Sequence, residues 1–471
     1  MAATAENKPV APPAGGATGT AAEREAVGEI DGSSRPQRGS AGADMTLAER
    51  SDLVLAAARV LYENGQTTDQ TLAGAQQLAG ALGLRTTIVP RWGELQLQAE
   101  DGDARLTSVI AAAPTGVHMT RVAALDRTIE DLDAGRLAPA GAMQAIREIS
   151  QAPPLPTWLF ALAAGAGAVA LAVIFGLQHL DSAALIFASG AAGGVLRRQL
   201  AKYSSNVYLQ PFAAALLAGV IGGLAVRWGL SSPLRLIAVT PCLVLVPGPH
   251  LLNGALDLFQ ARIHLGAARL LYGGLVLAAI ATGLLLGLAL VGASLNVDPL
   301  GRSVPLWRDV IAAGLVAACY GIYFSMPLRM LAWPVAVGLL AHALRWTALS
   351  EFHASAATAA LVACLFVGLV ITPAARRSHL PFAAIGFASV VSIVPGTYVM
   401  RMAGGLVQLA DGTHTTLELL SGTIADGATV ILVLLAMAAG LIVPKLIIDG
   451  LRNRPGPRPA AAAAARSSLY G

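Results

Sequence analysis

From Thr157 onward the sequence is a succession of apolar stretches, each close to the length that crosses a lipid bilayer. A helix needs about 20 apolar residues to cross about 30 Å of hydrocarbon, and only helices or closed barrels satisfy their backbone hydrogen bonds in lipid. The pattern therefore predicts a mainly α, polytopic membrane protein with about ten transmembrane helices. The predicted spans are residues 157–177, 181–196, 209–229, 234–254, 267–292, 306–325, 328–346, 354–372, 381–402 and 423–447.

The charged residues are concentrated before these spans. Only 13% of the 471 residues are charged, against about 25% in soluble domains. Of the 28 acidic residues, 19 precede residue 153 and nine lie in 153–450. This distribution predicts a soluble segment joined to a lipid-embedded one. The predicted order is a disordered tail (1–45), a small cytoplasmic α/β domain (46–152), two membrane repeats of five spans each (153–300 and 301–450) and a basic disordered tail (451–471).

The α/β domain shows both helical and strand periodicity. Apolar residues at helical spacing predict two helices, with Asn64-Gly65 ending the first and Gly83 ending the second. Residues 85–89 and 94–99 favour β-branched residues or alternate, and predict strands. Helical spacing then returns over 122–132 and 143–149, and a proline-rich linker (153–156) leads into the membrane.

Several functional classes lack their sequence signals. No basic stripe with interleaved aromatic residues indicates nucleic-acid binding. The three cysteines all lie in apolar stretches without metal-ligand spacing. The sequence has neither a phosphate-binding P-loop nor a His-Glu-x-x-His zinc motif, and Gly165–Ala170, which matches a dinucleotide fingerprint, falls inside a predicted span. We therefore predict no cofactor, no metal, no nucleic-acid partner and no enzymatic activity.

The distribution of lysine and arginine predicts the orientation. With both termini placed in the cytoplasm, inside segments hold twelve basic residues: Arg197, Arg198, Lys202, Arg262, Arg269, Arg329, Arg376, Arg377, Lys445, Arg452, Arg454 and Arg458. Outside segments then hold six: Arg227, Arg235, Arg302, Arg308, Arg345 and Arg401. Because cytoplasmic loops are enriched in basic residues, we predict a multi-pass protein of the cell (inner) membrane with both termini inside.

The two membrane halves repeat each other at an offset of 148 residues. At this offset Gly190 matches Gly338, Leu196-Arg197 matches Leu344-Arg345, Pro233 matches Pro381, and Val246-Pro247-Gly248 matches Val394-Pro395-Gly396. Five spans per repeat is an odd number, so the second repeat enters the membrane from the opposite side. Such inverted repeats are typical of secondary transporters. Glycine pairs four residues apart, such as Gly219/Gly223 and Gly283/Gly287, also predict close helix packing.

The matching Pro-Gly pairs interrupt the fourth and ninth spans. Proline removes a backbone donor and clashes with the preceding turn, and corresponding broken spans indicate the binding site of a transporter. The alternative is a simple kink. We predict that the breaks and nearby polar residues line a translocation path: Pro247, Gly248, Asn253, Asp257, Pro395, Gly396 and Arg401.

Some of these polar residues have a second interpretation. His250, Asn253 and Asp257 share a helical face, and Arg401 is the repeat partner of Asn253, but Asp257 and Arg401 could equally lie in headgroup water. His250 and Asp426 are candidates for proton coupling, although a carboxylate opening span ten would also be favoured by the helix dipole. For His342 we expect a hydrogen bond to a neighbouring backbone carbonyl.

The segment Val60–Gly83 resembles the start of the N-terminal domain of the threonine/serine exporter family. The paired Val-Pro-Gly segments and the ten spans after a cytoplasmic domain are also similar to that family, over about residues 46–450. Family members often have an arginine or similar residue where this chain has Gln66-Thr67-Thr68-Asp69.

The resemblance implies a secondary exporter of threonine and serine, with dicarboxylates such as succinate as the alternative. Its implied partners are the small-molecule substrate and the lipid bilayer, and a homo-oligomer stays open. From the residues alone, a membrane-embedded sensor or enzyme also stays open. The absence of a nucleotide site favours proton motive force as the energy source.

Overall fold

The computed structural model describes residues 45–229, 234–295, 304–377, 382–412 and 415–452. The predicted tails, except for the residues that adjoin these ranges, lie outside the described residues, as do Pro233 and Pro381 of the repeat.

The N-terminal part consists of a small sheet, two helices packed on it (α1 and α2) and two further helices packed on those (α3 and α4). Its elements are α1 (Leu47–Glu63), α2 (Thr68–Ala81), β1 (Arg85–Arg91), β2 (Gly93–Asp101), β3 (Ala104–Ala112), α3 (Met119–Asp133) and α4 (Pro139–Gln151). The sheet is antiparallel in the order β1-β2-β3. The two predicted strands are confirmed, and β3 is an addition. Gly65 and Gly83 have φ angles of 91° and 74°, which confirms both predicted helix ends, since glycine adopts such angles without strain. Leu53, Leu61 and Leu97 are among the buried core residues.

The membrane part consists of helices in two successive sets. The first set is α5 (Thr157–Ile174), α6 (Leu180–Tyr203), α7 (Leu209–Arg227), α8 (Leu234–Leu243), α9 (Gly248–Phe259) and α10 (Ile263–Leu290). The second set is α11 (Leu306–Tyr323), α12 (Ala332–Ser350), α13 (Ala356–Arg377), α14 (Phe382–Val390), α15 (Gly396–Asp411) and α16 (Leu417–Arg452). Short 3-10 turns precede α12 (Leu328–Met330) and follow α14 (Val391–Ile393).

Six described helices are long and apolar enough to cross a membrane: α5, α7, α10, α11, α13 and α16. Two more spans result if each bent pair counts as one, α8 with α9 (55°) and α14 with α15 (49°). The two predicted Pro-Gly breaks are therefore confirmed. Of the ten predicted spans, the described residues thus provide six, or up to eight if each bent pair is one span. Helices α6 and α12, which correspond to spans two and seven, are less apolar because they carry basic residues and a histidine. Helix α6, with 24 residues, extends beyond the predicted span 181–196.

The two sets repeat the same helix packing. Helix α5 packs on α6 as α11 packs on α12, and α7 packs on α10 as α13 packs on α16. Helices α9 and α15 begin at Gly248 and Gly396, 148 residues apart. The inverted orientation of the two sets stays a prediction.

Glycine allows α7 and α10 to approach closely, as the sequence predicts. A Cβ atom at Gly219 would lie 2.4 Å from the Leu284 carbonyl oxygen, and one at Gly283 would lie 2.3 Å from the Phe212 carbonyl oxygen. No side chain fits at those distances, so the two backbones are in contact.

The assignment of several charged residues to loops or helix ends was wrong. Asp426 does not open a helix, because α16 begins at Leu417. Apolar composition marks the part of a helix that lies in lipid, and the polar turns before it continue the same helix. Basic residues counted as loop residues also lie within helices: Arg197, Arg269, Arg345 and Arg401.

Candidate functional site

The two Pro-Gly breaks have the same backbone geometry. Pro247 has φ −81° and ψ 55°, and Pro395 has φ −77° and ψ 43°. In each break the glycine N–H donates to the carbonyl two residues earlier, Gly248 to Val246 (2.9 Å) and Gly396 to Val394 (2.8 Å). These are inverse γ-turns centred on proline. Each turn ends one half-helix and begins the next.

The two breaks contact each other across the halves. A Cβ atom at Gly248 would lie 1.9 Å from Cζ of Phe387 in α14, and one at Gly396 would lie 2.7 Å from Cδ2 of Leu243 in α8. The Leu243 carbonyl lacks its usual α-helical donor, because Pro247 has no N–H. It accepts instead from the Val246 N–H (3.3 Å) and from the Tyr320 hydroxyl (2.8 Å). We call the side chains around this contact the central layer. It encloses a void of only about 10 Å³: Leu171, Phe175, Leu243, Val246, Tyr320, Phe387, Val391, Ser392, Val394 and Gly396.

A polar cavity lies at each break. The first cavity, at Pro247, has a volume of about 240 Å³, and the second cavity, at Pro395, about 250 Å³. Eight lining positions are related by the 148-residue offset: Arg197/Arg345, Arg198/Trp346, Ala201/Leu349, Leu245/Ile393, Val246/Val394, Pro247/Pro395, Pro249/Thr397 and His250/Tyr398. Val246 lines both the first cavity and the central layer, and Ser392 lines both the central layer and the second cavity. The cavities are thus repeat-equivalent spaces separated by the central layer.

The arginines of the first cavity are already engaged. Arg197 donates to the Tyr323 hydroxyl and lies 5.4 Å from the centroid of its ring. The Arg198 guanidinium lies 4.2 Å from the Phe160 ring centroid. His250 contacts the edge of Tyr272, with ring centroids 5.0 Å apart. The helix end is also closed, because the His250 and Leu251 N–H groups both donate to the Pro247 carbonyl and Pro249 has no N–H.

The second cavity offers unused donors. Within the described part of the chain, the Arg345 guanidinium has no hydrogen-bond partner, although Asp309 and Tyr398 lie within electrostatic range. The Thr397 and Tyr398 N–H groups at the start of α15 have no backbone acceptor among the described residues. A guanidinium and two free amides at a helix N-terminus favour binding of an anion such as a carboxylate.

A chain of three buried polar side chains borders the second cavity. Asp309 Oδ2 lies 2.9 Å from His342 Nδ1, and His342 Nε2 lies 2.7 Å from Ser392 Oγ. Asp309 lies in the first turn of α11, where the helix dipole favours a carboxylate. Asp309 and Ser392 line the cavity, whereas His342 is completely buried behind them. The expectation that a backbone carbonyl satisfies His342 was therefore wrong.

Two of the predicted path residues line neither cavity and instead connect to the N-terminal part, Asn253 directly and Asp257 through Arg262, which also pairs with Asp69. Asn253 Nδ2 donates to the Gly65 carbonyl (3.3 Å). Asp257 forms ion pairs with Arg269 and Arg262, both at 3.4 Å. Their common helical face, which the sequence shows, is thus used for contact between the two parts.

Two further predicted residues, Arg401 and Asp426, are paired with each other. Arg401 Nε lies 3.1 Å from Asp426 Oδ2, which joins α15 to α16. Neither residue lines either cavity. The first cavity is lined by Pro247 and His250, and the second by Pro395. The two glycines, Gly248 and Gly396, pack where the breaks contact each other.

The N-terminal part closes one side of the first cavity. Residues 115–118, between β3 and α3, line it. The Met119 and Thr120 N–H groups donate to the carbonyls of Phe324 and Ser325 (3.0 Å each) at the end of α11. Asp69 binds Arg262 (2.7 Å) and lies 3.6 Å from Lys445 of α16. Burial and the nearby Arg121 lower the pKa of His118, so this histidine is neutral at the edge of the cavity.

The sequence-based interpretation missed the residues that make the second cavity polar. Arg345 was in repeat register with Arg197, and two arginines at equivalent positions inside apolar helices indicate a common environment. Asp309 was one of nine acidic residues in 153–450. No local pattern connected it to His342 and Ser392, which are separated from it by 33 and 83 positions. Among the described residues, no group of three or more His, Cys, Asp or Glu side chains could hold a metal ion.

Comparison with known proteins gives a consistent match over most of the chain. A family model for threonine/serine exporters matches residues 52–291, and a second, described as "Threonine/Serine exporter, ThrE", matches residues 309–447. A Mycobacterium tuberculosis protein named "Probable threonine/serine exporter" is 26% identical over 404 residues, covering 79% of this chain and 75% of that protein. No solved structure matches the chain.

Proposed function

The chain belongs to the threonine/serine exporter family, and on that premise we propose that it exports threonine and serine as a secondary transporter. In this proposal it lies in the cell (inner) membrane with both termini in the cytoplasm, and proton motive force drives the export. The sequence carries no P-loop for direct use of ATP.

One observation carries the proposal: two repeat-equivalent polar cavities at two broken spans, with a close-packed apolar layer between them. In transporters built from inverted repeats, rocking of one repeat against the other opens the site to each side in turn. We propose that the cavities are the two access routes and that the central layer is the barrier. The first cavity, bordered by the N-terminal part, would face the cytoplasm.

The second cavity has the groups that an amino-acid zwitterion needs. The carboxylate of the amino acid would bind the Arg345 guanidinium and the free amides of Thr397 and Tyr398. Its ammonium group would face Asp309, whose carboxylate lines the same space. Each hydrogen bond to a charged group contributes about 1.5–3 kcal/mol, so loss of one partner should weaken binding by about tenfold or more.

Asp309 favours an amino acid over the dicarboxylate alternative. A dicarboxylate would bring its second negative charge next to this buried carboxylate, and like charges in such a site repel strongly. Replacing Asp309 with Asn should therefore lower threonine efflux without lowering succinate efflux. If succinate is the substrate, the same variant should transport it at least as well as the wild type, and threonine should not be exported by either protein.

Efflux of labelled threonine, serine and succinate from cells with and without the protein tests the proposal. Arg345→Ala should lose most threonine efflux and Arg345→Lys should retain part of it, because lysine keeps the charge without the bidentate geometry. Arg308→Ala, which removes an exposed arginine one position before Asp309, is the matched control and should export normally. Normal efflux by Arg345→Ala at equal membrane abundance contradicts the assigned carboxylate site.

The energy source has its own test. Collapse of the proton gradient by a protonophore should stop uphill threonine efflux, whereas ATP depletion at a maintained gradient should not. The reverse pattern would refute secondary transport.

One arrangement favours the membrane-enzyme alternative. Asp309, His342 and Ser392 follow the order of groups in a serine-hydrolase triad, and Ser392 borders a cavity. A hydrolase would have an activated Ser392 that reacts with a fluorophosphonate probe. For a transporter we expect no labelling that depends on Ser392, with Ser392→Ala as the control.

A further inference from the structure

The hydrogen bonds around His342 fix its protonation pattern. An ionised carboxylate only accepts hydrogen bonds. The neutral imidazole of His342 therefore carries its hydrogen on Nδ1, which donates to Asp309. Nε2 then accepts from the Ser392 hydroxyl at 2.7 Å. Asp309 keeps its net negative charge in this state, and that charge is available to a ligand in the second cavity.

A second proton would change this balance without moving any helix. A doubly protonated imidazole donates from both nitrogens, and the Ser392 hydroxyl can rotate to accept from Nε2. The imidazolium then neutralises Asp309 at 2.9 Å. An ammonium group in the cavity would lose its counter-charge, so the proton and the ammonium compete for the same carboxylate.

Ser392 also provides the route for the proton. His342 is completely buried, whereas Ser392 lines the second cavity. A hydronium ion in the cavity can give its proton to Ser392 Oγ while Oγ passes its own proton to His342 Nε2, leaving a water molecule and an imidazolium. Deprotonation follows the same steps in reverse, so no other reactant is required.

Few titratable or charged side chains lie near the hydrogen-bonded series Asp309–His342–Ser392 and the adjacent Arg345. Asp309 comes from α11, Ser392 from the 3-10 turn after α14, Arg345 from α12 itself, Tyr398 from α15 and Cys364 from α13. Asp309 is the one acidic side chain among these described neighbours. Arg345 is the fixed positive charge, and it is the group assigned to the substrate carboxylate.

We propose that His342 is the proton-binding residue of the transport cycle and that it couples protons to export by competition with the substrate ammonium for Asp309. Ser392 relays the proton between the second cavity and His342, and it is hydrogen-bonded to His342 in both protonation states. This inference rests on the proposed function. It differs from the sequence-based candidates for proton coupling, His250, which lies at the first cavity, and Asp426, which is paired with Arg401.

The test uses the full-length protein in lipid vesicles containing a pH-sensitive dye. Two fluxes are measured: exchange of labelled threonine at equal pH, and threonine movement driven by an imposed pH gradient together with the accompanying proton movement. His342→Gln should keep exchange, because the amide can donate to Asp309 and accept from Ser392. It should lose both gradient-driven accumulation and threonine-dependent proton movement. His264→Gln, an exposed histidine in α10, is the matched control and should keep both fluxes.

Ser392→Ala separates a proton-relay role from a purely structural one. It should keep exchange and slow the proton-coupled flux, with the pH profile of that flux displaced. Threonine-dependent proton movement by His342→Gln at the wild-type rate would overturn the inference. Absence of threonine exchange by the wild type would instead refute the proposed function.

A binding measurement on the wild type keeps the inference falsifiable if His342→Gln fails to fold. The threonine Kd should rise on acidification, approaching tenfold per pH unit below the pKa of the competing group. The threonine ammonium and the arginine remain charged over that range. A Kd that does not change between about pH 5 and 8 would overturn the inference.

Discussion

A single missing methyl group decides how the two halves fit at the first break. The ring of Phe387 occupies the space where any side chain at position 248 would begin. Glycine is therefore required at this position for close approach and not for its backbone angle, because Gly248 has no positive φ.

Gly248→Ala should destabilise the protein by about 1–3 kcal/mol, the usual cost of overpacking. Phe387→Ala alone should cost about 3–5 kcal/mol, because it leaves a cavity. The double variant should lose less than the sum of the two single changes, because the ring that meets the added methyl group is absent. Thermal unfolding in detergent measures both effects. Gly274→Ala is the control, because no atom lies within 4 Å of the added Cβ. A Gly248→Ala protein as stable as the wild type would contradict the contact between Gly248 and Phe387.

The same contact limits another experiment. Restoring a continuous helix with Pro247→Ala and Gly248→Leu would abolish transport, but the leucine would clash with Phe387 whether or not the break binds substrate. Changes at Asp309, Arg345 and Thr397 are more informative, because these residues line the second cavity but not the central layer.

At the scale of elements, the two breaks differ in the residue that follows the glycine in the first helical turn. Pro249 follows Gly248 at the start of α9, whereas Thr397 follows Gly396 at the start of α15. Proline at this position leaves the helix intact but removes an N–H group that could bind a ligand. The two breaks therefore share a backbone path and differ in their capacity to bind an anion.

Thr397→Pro should remove the free amide from the second break, as Pro249 does in the first. The helix should form normally, and threonine affinity should fall because the free amide is lost. Thr397→Val removes the hydroxyl and keeps the amide, so it should retain affinity if the amide is the group that binds. Equal affinity losses in the two variants would assign the effect to the side chain instead. Threonine Kd and helical content by circular dichroism are the measurements.

The sequence predicts the elements better than their ends or contacts. The Pro-Gly motif predicts both breaks, because proline chemistry is local. Strand β3 was missed, although Asp101-Gly102-Asp103 is a hairpin signal. An edge strand needs only one weakly apolar face, and Leu106 and Ile110 supply it among exposed neighbours. The chain from Asp309 to Ser392 depends on how three elements pack, so no spacing in the sequence predicts it.

On the scale of the whole molecule, the N-terminal part is attached by polar contacts and by an apolar cluster in which Met119 packs near Met326 and Met330. Burial tends to raise the pKa of Asp69, but hydrogen bonds from Arg262 and Gln260 and the charges of Arg262 and Lys445 bring it below its ordinary value. A lowered pKa means that this stabilisation is present above the pKa of the unfolded chain and is lost as the pH falls through the folded value. The contacts are therefore complete at neutral pH.

Asp69→Asn should loosen the N-terminal part by about 1–2 kcal/mol, since it replaces charge-assisted hydrogen bonds on a partly exposed side chain. Hydrogen exchange at the Met119 and Thr120 amides, which donate to the end of α11, reports the loosening. Asp52→Asn, on the exposed face of α1, should leave that exchange unchanged. Unaltered protection in Asp69→Asn would show that other contacts suffice.

The orientation can be measured at two exposed positions. Single cysteines at Ser205 and Asp411, in a background lacking Cys242, Cys319 and Cys364, are both accessible to solvent in the structure. With both termini inside, an impermeant thiol reagent added outside should label the cysteine at 411 and not the one at 205. The opposite result would reverse the proposed direction of the two cavities.

Each break is completed by a side chain from the other half: Phe387 packs on Gly248, and Leu243 packs on Gly396. Neither half alone supplies the surface against which its own glycine packs. Two polypeptides produced by cutting between Leu295 and Val304 should therefore complement each other when co-expressed, and each should be degraded when expressed alone. Because of these two glycine contacts, we expect the separated halves to behave as the two subunits of an obligate heterodimer.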